Sequence, residues 1–116
     1  MSQDGEDLSP TSYSSITDDL IEKVTEVSDS RGFTSLRFAY EEAINELCDE
    51  LDHGLSIDPW PASRPGLAKA KVNVRVSSDI LNRMRKTARD HQTRPGTLFR
   101  VALIRWLSRH GVEYQD

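Results

Sequence analysis

The sequence predicts a mostly α-helical chain with one short β-strand, split into an acidic half and a basic half. Three observations predict this. Apolar residues recur at helical spacing in four separate segments. One segment, 71–77, alternates between valine and polar residues with a period of two. Charge divides sharply near residue 65: residues 1–65 carry a net −11 and residues 66–116 a net +7, within a total of −4.

At 116 residues, 36% hydrophobic and 29% charged, the chain has enough apolar surface for a small core and too little length for a large enzyme cleft. A single cysteine rules out an intrachain disulfide and suits a reducing compartment. The opening MSQDGEDLSP has no basic-then-apolar leader, and no apolar run approaches the ~18 residues of a membrane span. These features predict a soluble cytoplasmic protein with no membrane partner.

Residues 1–15 are polar and rich in Ser, Asp and Thr, and are expected to form a flexible tail. An acidic helical hairpin follows over 16–53. Thr17 is placed to cap its first helix, with Asp18 and Asp19 in the opening turn and Leu20, Ile21, Val24 and Val27 on one face. Gly32 stops it. A second helix is expected over about 35–51, with Ala39, Tyr40, Ala43, Ile44 and Leu47 facing inward. Residues 54–68 hold Pro59, Pro61 and Pro65 and read as a stiffened linker, with Trp60 tacking it onto a domain.

The basic block, 69–116, opens with the alternating segment. Val72, Val74 and Val76 form one face of a strand, and Lys71, Asn73 and Arg75 the other. Ser77 or Ser78 caps a helix carrying Ile80, Leu81, Met84, Thr87 and Ala88. Arg94-Pro95-Gly96 breaks the chain, and a last helix spans about 97–109 before Gly111. That last helix is apolar on nearly every side, which predicts burial on nearly every side. Its Val101 and Ile104 are expected to contact the acidic hairpin or a further subunit.

A lone strand must pair, and the basic block offers no second one. The economical solution is antiparallel pairing with the same strand of a second copy, a homodimer. Such a ribbon fits the major groove of double-stranded DNA, and Lys, Asn and Arg suit base edges.

The stretch VNVRVSSDILNRMRKTARDHQTRPGTLFRVALIRWLSRHG resembles the ribbon–helix–helix pattern of the MetJ/Arc/CopG repressors, over residues 69–111. The resemblance implies that Lys71, Asn73 and Arg75 read bases. It implies that the start of the last helix, Gly96 and Thr97, grips a phosphate, with Arg94 and Lys69 as nearby cations. It implies a dimer core of Val72, Val74, Val76, Leu98, Phe99, Ala102, Leu103 and Trp106. Pro95-Gly96 departs from the polar, Ser-rich start of many members.

The acidic block bears a weak copy of this pattern. Its first helix repeats the second block at an offset of 60, and its second helix at 59. It is open whether this is a degenerate second unit. The would-be strand at 11–16 is poor: its outward positions at that offset are Thr11, Tyr13 and Ser15, and none is basic. Intramolecular pairing, the arrangement that relaxosome accessory proteins with tandem units resemble, is therefore the disfavoured alternative to the homodimer.

Other clusters carry less. Cys48 lines up with Ile44 and Leu47 and reads as a packed thiol beside Asp49, Asp52 and His53, not as a metal ligand. His91 and His110 sit at helix ends without catalytic companions. Glu22 with Glu26, and Glu41 and Glu42 with Glu46, read as solvated faces, with docking or DNA mimicry as the sharper alternative. No phosphate-cradling loop, zinc spacing or triad occurs, so no enzyme and no cofactor are expected. The function implied is a nucleoid-associated, DNA-binding repressor or autoregulator. The alternative is a plasmid partition, relaxosome or antitoxin-type accessory protein whose residues 1–53 recruit a protein partner.

Overall fold

The computed structural model describes residues 8–13, 16–61 and 72–114, with 8–13 and 72–74 as backbone. Most of the described chain is helical. The order is β1 (Leu8–Tyr13), α1 (Asp18–Ser30), α2 (Leu36–Asp52), β2 (Val72–Ser77), α3 (Ser78–Asp90) and α4 (Pro95–Arg109). The chain thus runs strand–helix–helix twice.

The repetition extends to single hydrogen bonds. Thr17 caps α1 by accepting from Leu20 N–H, and Ser77 caps α3 by accepting from Ile80 N–H. Both helices are 13 residues long. At the end of α1, Arg31, Gly32 and Phe33 N–H donate to the carbonyls of Val27, Asp29 and Ser28. At the end of α3, His91, Gln92 and Thr93 donate to Thr87, Arg89 and Ala88, sixty residues on at every atom. The ends of α2 and α4 repeat in the same way at an offset of 57, from His53, Gly54 and Leu55 to His110, Gly111 and Val112. The offset shrinks from 60 to 57 because the second half enters its last helix one residue sooner and that helix is two residues shorter.

Residues 8–13, expected within a flexible tail, form β1. They pair antiparallel with β2 in the register Leu8↔Ser77, Pro10↔Arg75, Ser12↔Asn73. This corrects the expectation that β2 takes its partner from a second copy: the partner lies in the same chain. It also corrects the assignment of positions 11 and 13 to the outward face. They stand opposite Val74 and Val72, and so share a pleat side with Val76, which is fully buried. Position 15 lies outside the described residues. The offset of 60 fails in the strands because β2 runs directly into its cap, Ser77, whereas four residues separate β1 from α1.

One core serves both halves. Leu20, Val24, Ala43, Ile44 and Leu47 from the first half join Val76, Met84, Leu98, Phe99, Leu103 and Trp106 from the second. α4 touches α1, α2 and α3, which explains its unbroken apolar surface. Val101 is buried and Ile104 packs against the core from the edge, so the contact expected for them is met within the chain. Tyr40 and Phe99 occupy matching positions, 59 apart, and pack edge-to-face with ring centroids 5.4 Å apart. Equivalent residues meeting each other, under antiparallel strands, give the molecule a two-fold-like plan.

Of the expected linker, Leu55, Ile57 and Trp60 pack against the core. Residues 62–68 lie outside the described residues.

Candidate nucleic-acid interface

The ribbon carries the candidate surface. Positions 73 and 75 share a pleat side because the strand period is two, and Arg75 is exposed. Among the described residues Arg75 makes no ion pair. Across the ribbon from it stands Pro10, and across from Asn73 stands Ser12. Lys69 and Lys71, expected phosphate and base contacts, lie outside the described residues.

The β2–α3 junction is held from the other half. Ser77 N–H donates to Glu41 Oε2 on α2 at 2.8 Å, and the same oxygen accepts from Arg37 Nε at 3.1 Å. The α1 cap is held in turn by the chain's end, where the Thr17 and Tyr114 hydroxyls lie 3.1 Å apart. Each strand-to-helix corner is therefore braced by the opposite half.

The N-terminus of α4 begins earlier than expected, at Pro95 instead of Thr97. Pro95 sits in the first turn, where its missing N–H costs nothing. Arg94 is the N-cap, yet its side chain makes no capping hydrogen bond. The first helical bond is Leu98 N–H to Arg94 carbonyl, at 2.9 Å. The N–H groups of Gly96 and Thr97 thus precede the hydrogen-bonded ladder, beside the exposed Arg94. By contrast, α1, α2 and α3 are capped by the hydroxyls of Thr17, Ser35 and Ser77.

Five of the six acids of α2 meet side chains of the basic half, and the sixth, Glu41, pairs with Arg37 of its own helix. Arg83 binds Asp49 at 2.7 Å, Asp52 at 3.0 Å and the Asn45 carboxamide oxygen at 3.0 Å. Arg109 bridges Glu46 and Glu50, and Arg105 reaches Glu50 at 3.2 Å. Trp106 Nε1 donates to Glu42 at 2.7 Å, with His110 nearby. All six acids of α2 are engaged. Glu41 and Glu46 are therefore held by Arg37 and Arg109 within the chain and Glu42 by the Trp106 N–H, so the three do not form the free acidic face that their spacing suggested. Burial pushes Glu50 up, but hydrogen bonds and charge from Arg109 and Arg105 outweigh it and hold the carboxyl below its ordinary value.

The acids of α1 behave differently. Asp18, Asp19, Glu22, Glu26 and Asp29 are exposed, and the one ion pair among them in the described residues is a loose Lys23–Glu26 contact at 3.8 Å. Sequence reasoning did not separate these two acidic faces, since, Arg37 apart, the hydrogen-bond partners of the α2 acids lie 31 to 64 residues away.

Cys48 is fully buried, and burial pushes its thiol up. No grouping suited to a metal ion occurs among the described residues. The expected core residues Val76, Leu98, Phe99, Ala102, Leu103 and Trp106 are all buried, but in a core within one chain; the side chains of Val72 and Val74 lie outside the described residues. No described helix is long and apolar enough to cross a membrane. Compared with protein-family models, with curated proteins and with solved structures, the chain has no match.

Proposed function

We propose that this chain is a sequence-specific binder of double-stranded DNA, built as two ribbon–helix–helix units in tandem, and that it acts as a repressor or autoregulator. One observation carries the reading. Two antiparallel strands make a ribbon whose open side bears Arg75, exposed and without an ion pair among the described residues, while Val76 beside it is buried. A two-stranded ribbon fits the major groove, and Arg and Asn are suited to guanine and adenine edges. The N–H groups of Gly96 and Thr97, with Arg94, would receive a phosphate and set the docking register.

The test is an anisotropy titration of the full chain on duplexes enriched from a random pool. Arg75→Ala should cost about 1–3 kcal/mol of specific binding, roughly 5- to 150-fold, and leave stability unchanged because the side chain is exposed. Wild-type affinity in that variant would remove the ribbon from the interface.

A second reading, an accessory protein of a partition, relaxosome or antitoxin system, keeps DNA binding as the anchor. The exposed acids of α1 favour it, and α1 rather than α2 would then meet the protein partner.

A further inference from the structure

The two halves match in caps, lengths and backbone bonds but not in exposed chemistry. On the ribbon, Arg75 stands opposite Pro10 and Asn73 opposite Ser12. On the flanking helices, Glu22, Thr25, Glu26 and Asp29 of α1 correspond, at an offset of 60, to Asn82, Arg85, Lys86 and Arg89 of α3. The four residues from α3 are all exposed, with Lys86 also paired to Asp90 at 2.8 Å, and so are the three acids from α1, with Glu26 3.8 Å from Lys23. At the second helices, the N-cap of the basic half is the exposed Arg94, whereas the N-cap of the acidic half is the uncharged Ser35.

A DNA duplex offers phosphates on both sides of the groove that a ribbon enters. A symmetric dimer would grip both sides alike. Here one flank attracts the duplex and the other repels it.

We infer that one copy of this chain fills its DNA element, that the element has no two-fold symmetry, and that the chain binds it in one orientation, with the α3–α4 flank against the phosphates and the α1 flank held off. This rests on the DNA-binding reading above. The intrachain pairing sets the stoichiometry, because β1 already completes with β2 the two-stranded ribbon that a second copy would otherwise have to supply. The charge inversion between α1 and α3 sets the polarity.

The experiment selects duplexes from a random pool with the full chain, reads the enriched sequence, and weighs the complex by native mass spectrometry. The expected result is a consensus without an inverted repeat and one 13.1 kDa chain per duplex. A footprint should extend further on one side of the consensus. The triple variant Glu22→Gln, Glu26→Gln, Asp29→Asn should then lengthen the short side and tighten binding several-fold at low salt, with less gain at high salt, where exposed charges are screened. An inverted-repeat consensus carrying two chains would overturn the inference while leaving DNA binding in place. So would a footprint indifferent to the triple variant. Failure to enrich any sequence removes the DNA-binding reading and this inference together.

Discussion

The first helix of each half is capped by a hydroxyl, runs for 13 residues and ends in the same three backbone bonds, yet α1 displays acids where α3 displays bases. What the halves share is everything that backbone geometry and the core require. What separates them lies on the surface and at their mutual contact, where Glu46, Asp49, Glu50 and Asp52 of α2 are answered by Arg83, Arg105 and Arg109 of α3 and α4. The opposite charges of the halves are thus partly spent on each other. The difference teaches that a repeat can keep its fold while its two copies divide the labour, one providing cations to the outside and the other providing counterions within.

The two halves depend on each other most at the centre of the molecule. Tyr40 and Phe99 are equivalent residues packed on each other, so neither half has a private core. Phe99 is fully buried. Phe99→Ala should destabilise the chain by about 3–5 kcal/mol. The loss should appear in urea unfolding as one cooperative transition by both far-ultraviolet circular dichroism and tryptophan fluorescence. Two separated transitions would show that the halves fold independently, contrary to the shared core.

Much of this plan was legible in the sequence. Thr17, the Ser77-Ser78 pair and Gly32 announced helix ends because caps and stops are local chemistry, and the structure selects Ser77 of the pair. The inward set Ala39, Tyr40, Ala43, Ile44 and Leu47 is buried as its spacing required. The all-round apolar surface of α4 foretold a central helix. The ribbon partner was not legible. LSPTSY has little strand propensity, and Pro10 argues against a central strand. In a two-stranded ribbon each strand keeps an open edge, where a proline is tolerated, and pairing with β2 overrides weak local preference. The ion pairs of α2 were illegible for another reason. A solvated acidic face and one facing arginines from distant sequence have the same helical pattern.

A smaller effect sharpens the comparison at the turns. Gly32 and Gln92 occupy the same place after α1 and α3, and both are left-handed, with φ of 80° and 58°. Glycine takes this conformation freely, whereas a residue with a Cβ is strained there. Gln92→Gly should therefore raise stability by about 0.5–1 kcal/mol, the relief of strain being partly offset by the greater freedom of glycine in the unfolded chain. Chemical denaturation would read the gain. No gain would mean that Gln92 makes compensating contacts in its cleft with Trp60 and Asp58.

The smallest effect concerns the seam between the halves. Glu50 is held below its ordinary value by Arg109 and Arg105. A carboxylate whose folded pKa is depressed adds stability above its unfolded value of about 4.3, and that stability disappears as pH falls through the folded value. The pair is a third exposed, so solvent screening limits the contribution to about 1 kcal/mol or less. Urea midpoints measured from pH 7 to pH 3 should fall on the acid side in the wild type. In Glu50→Gln the midpoint should be lower at pH 7 and the acid-side fall shallower, because one titrating group has left the seam. Equal slopes in the two proteins would show that the pairing of Glu50 with Arg105 and Arg109 adds nothing to stability. The halves would then be joined by their shared core, with the charges at their boundary serving only to cancel each other.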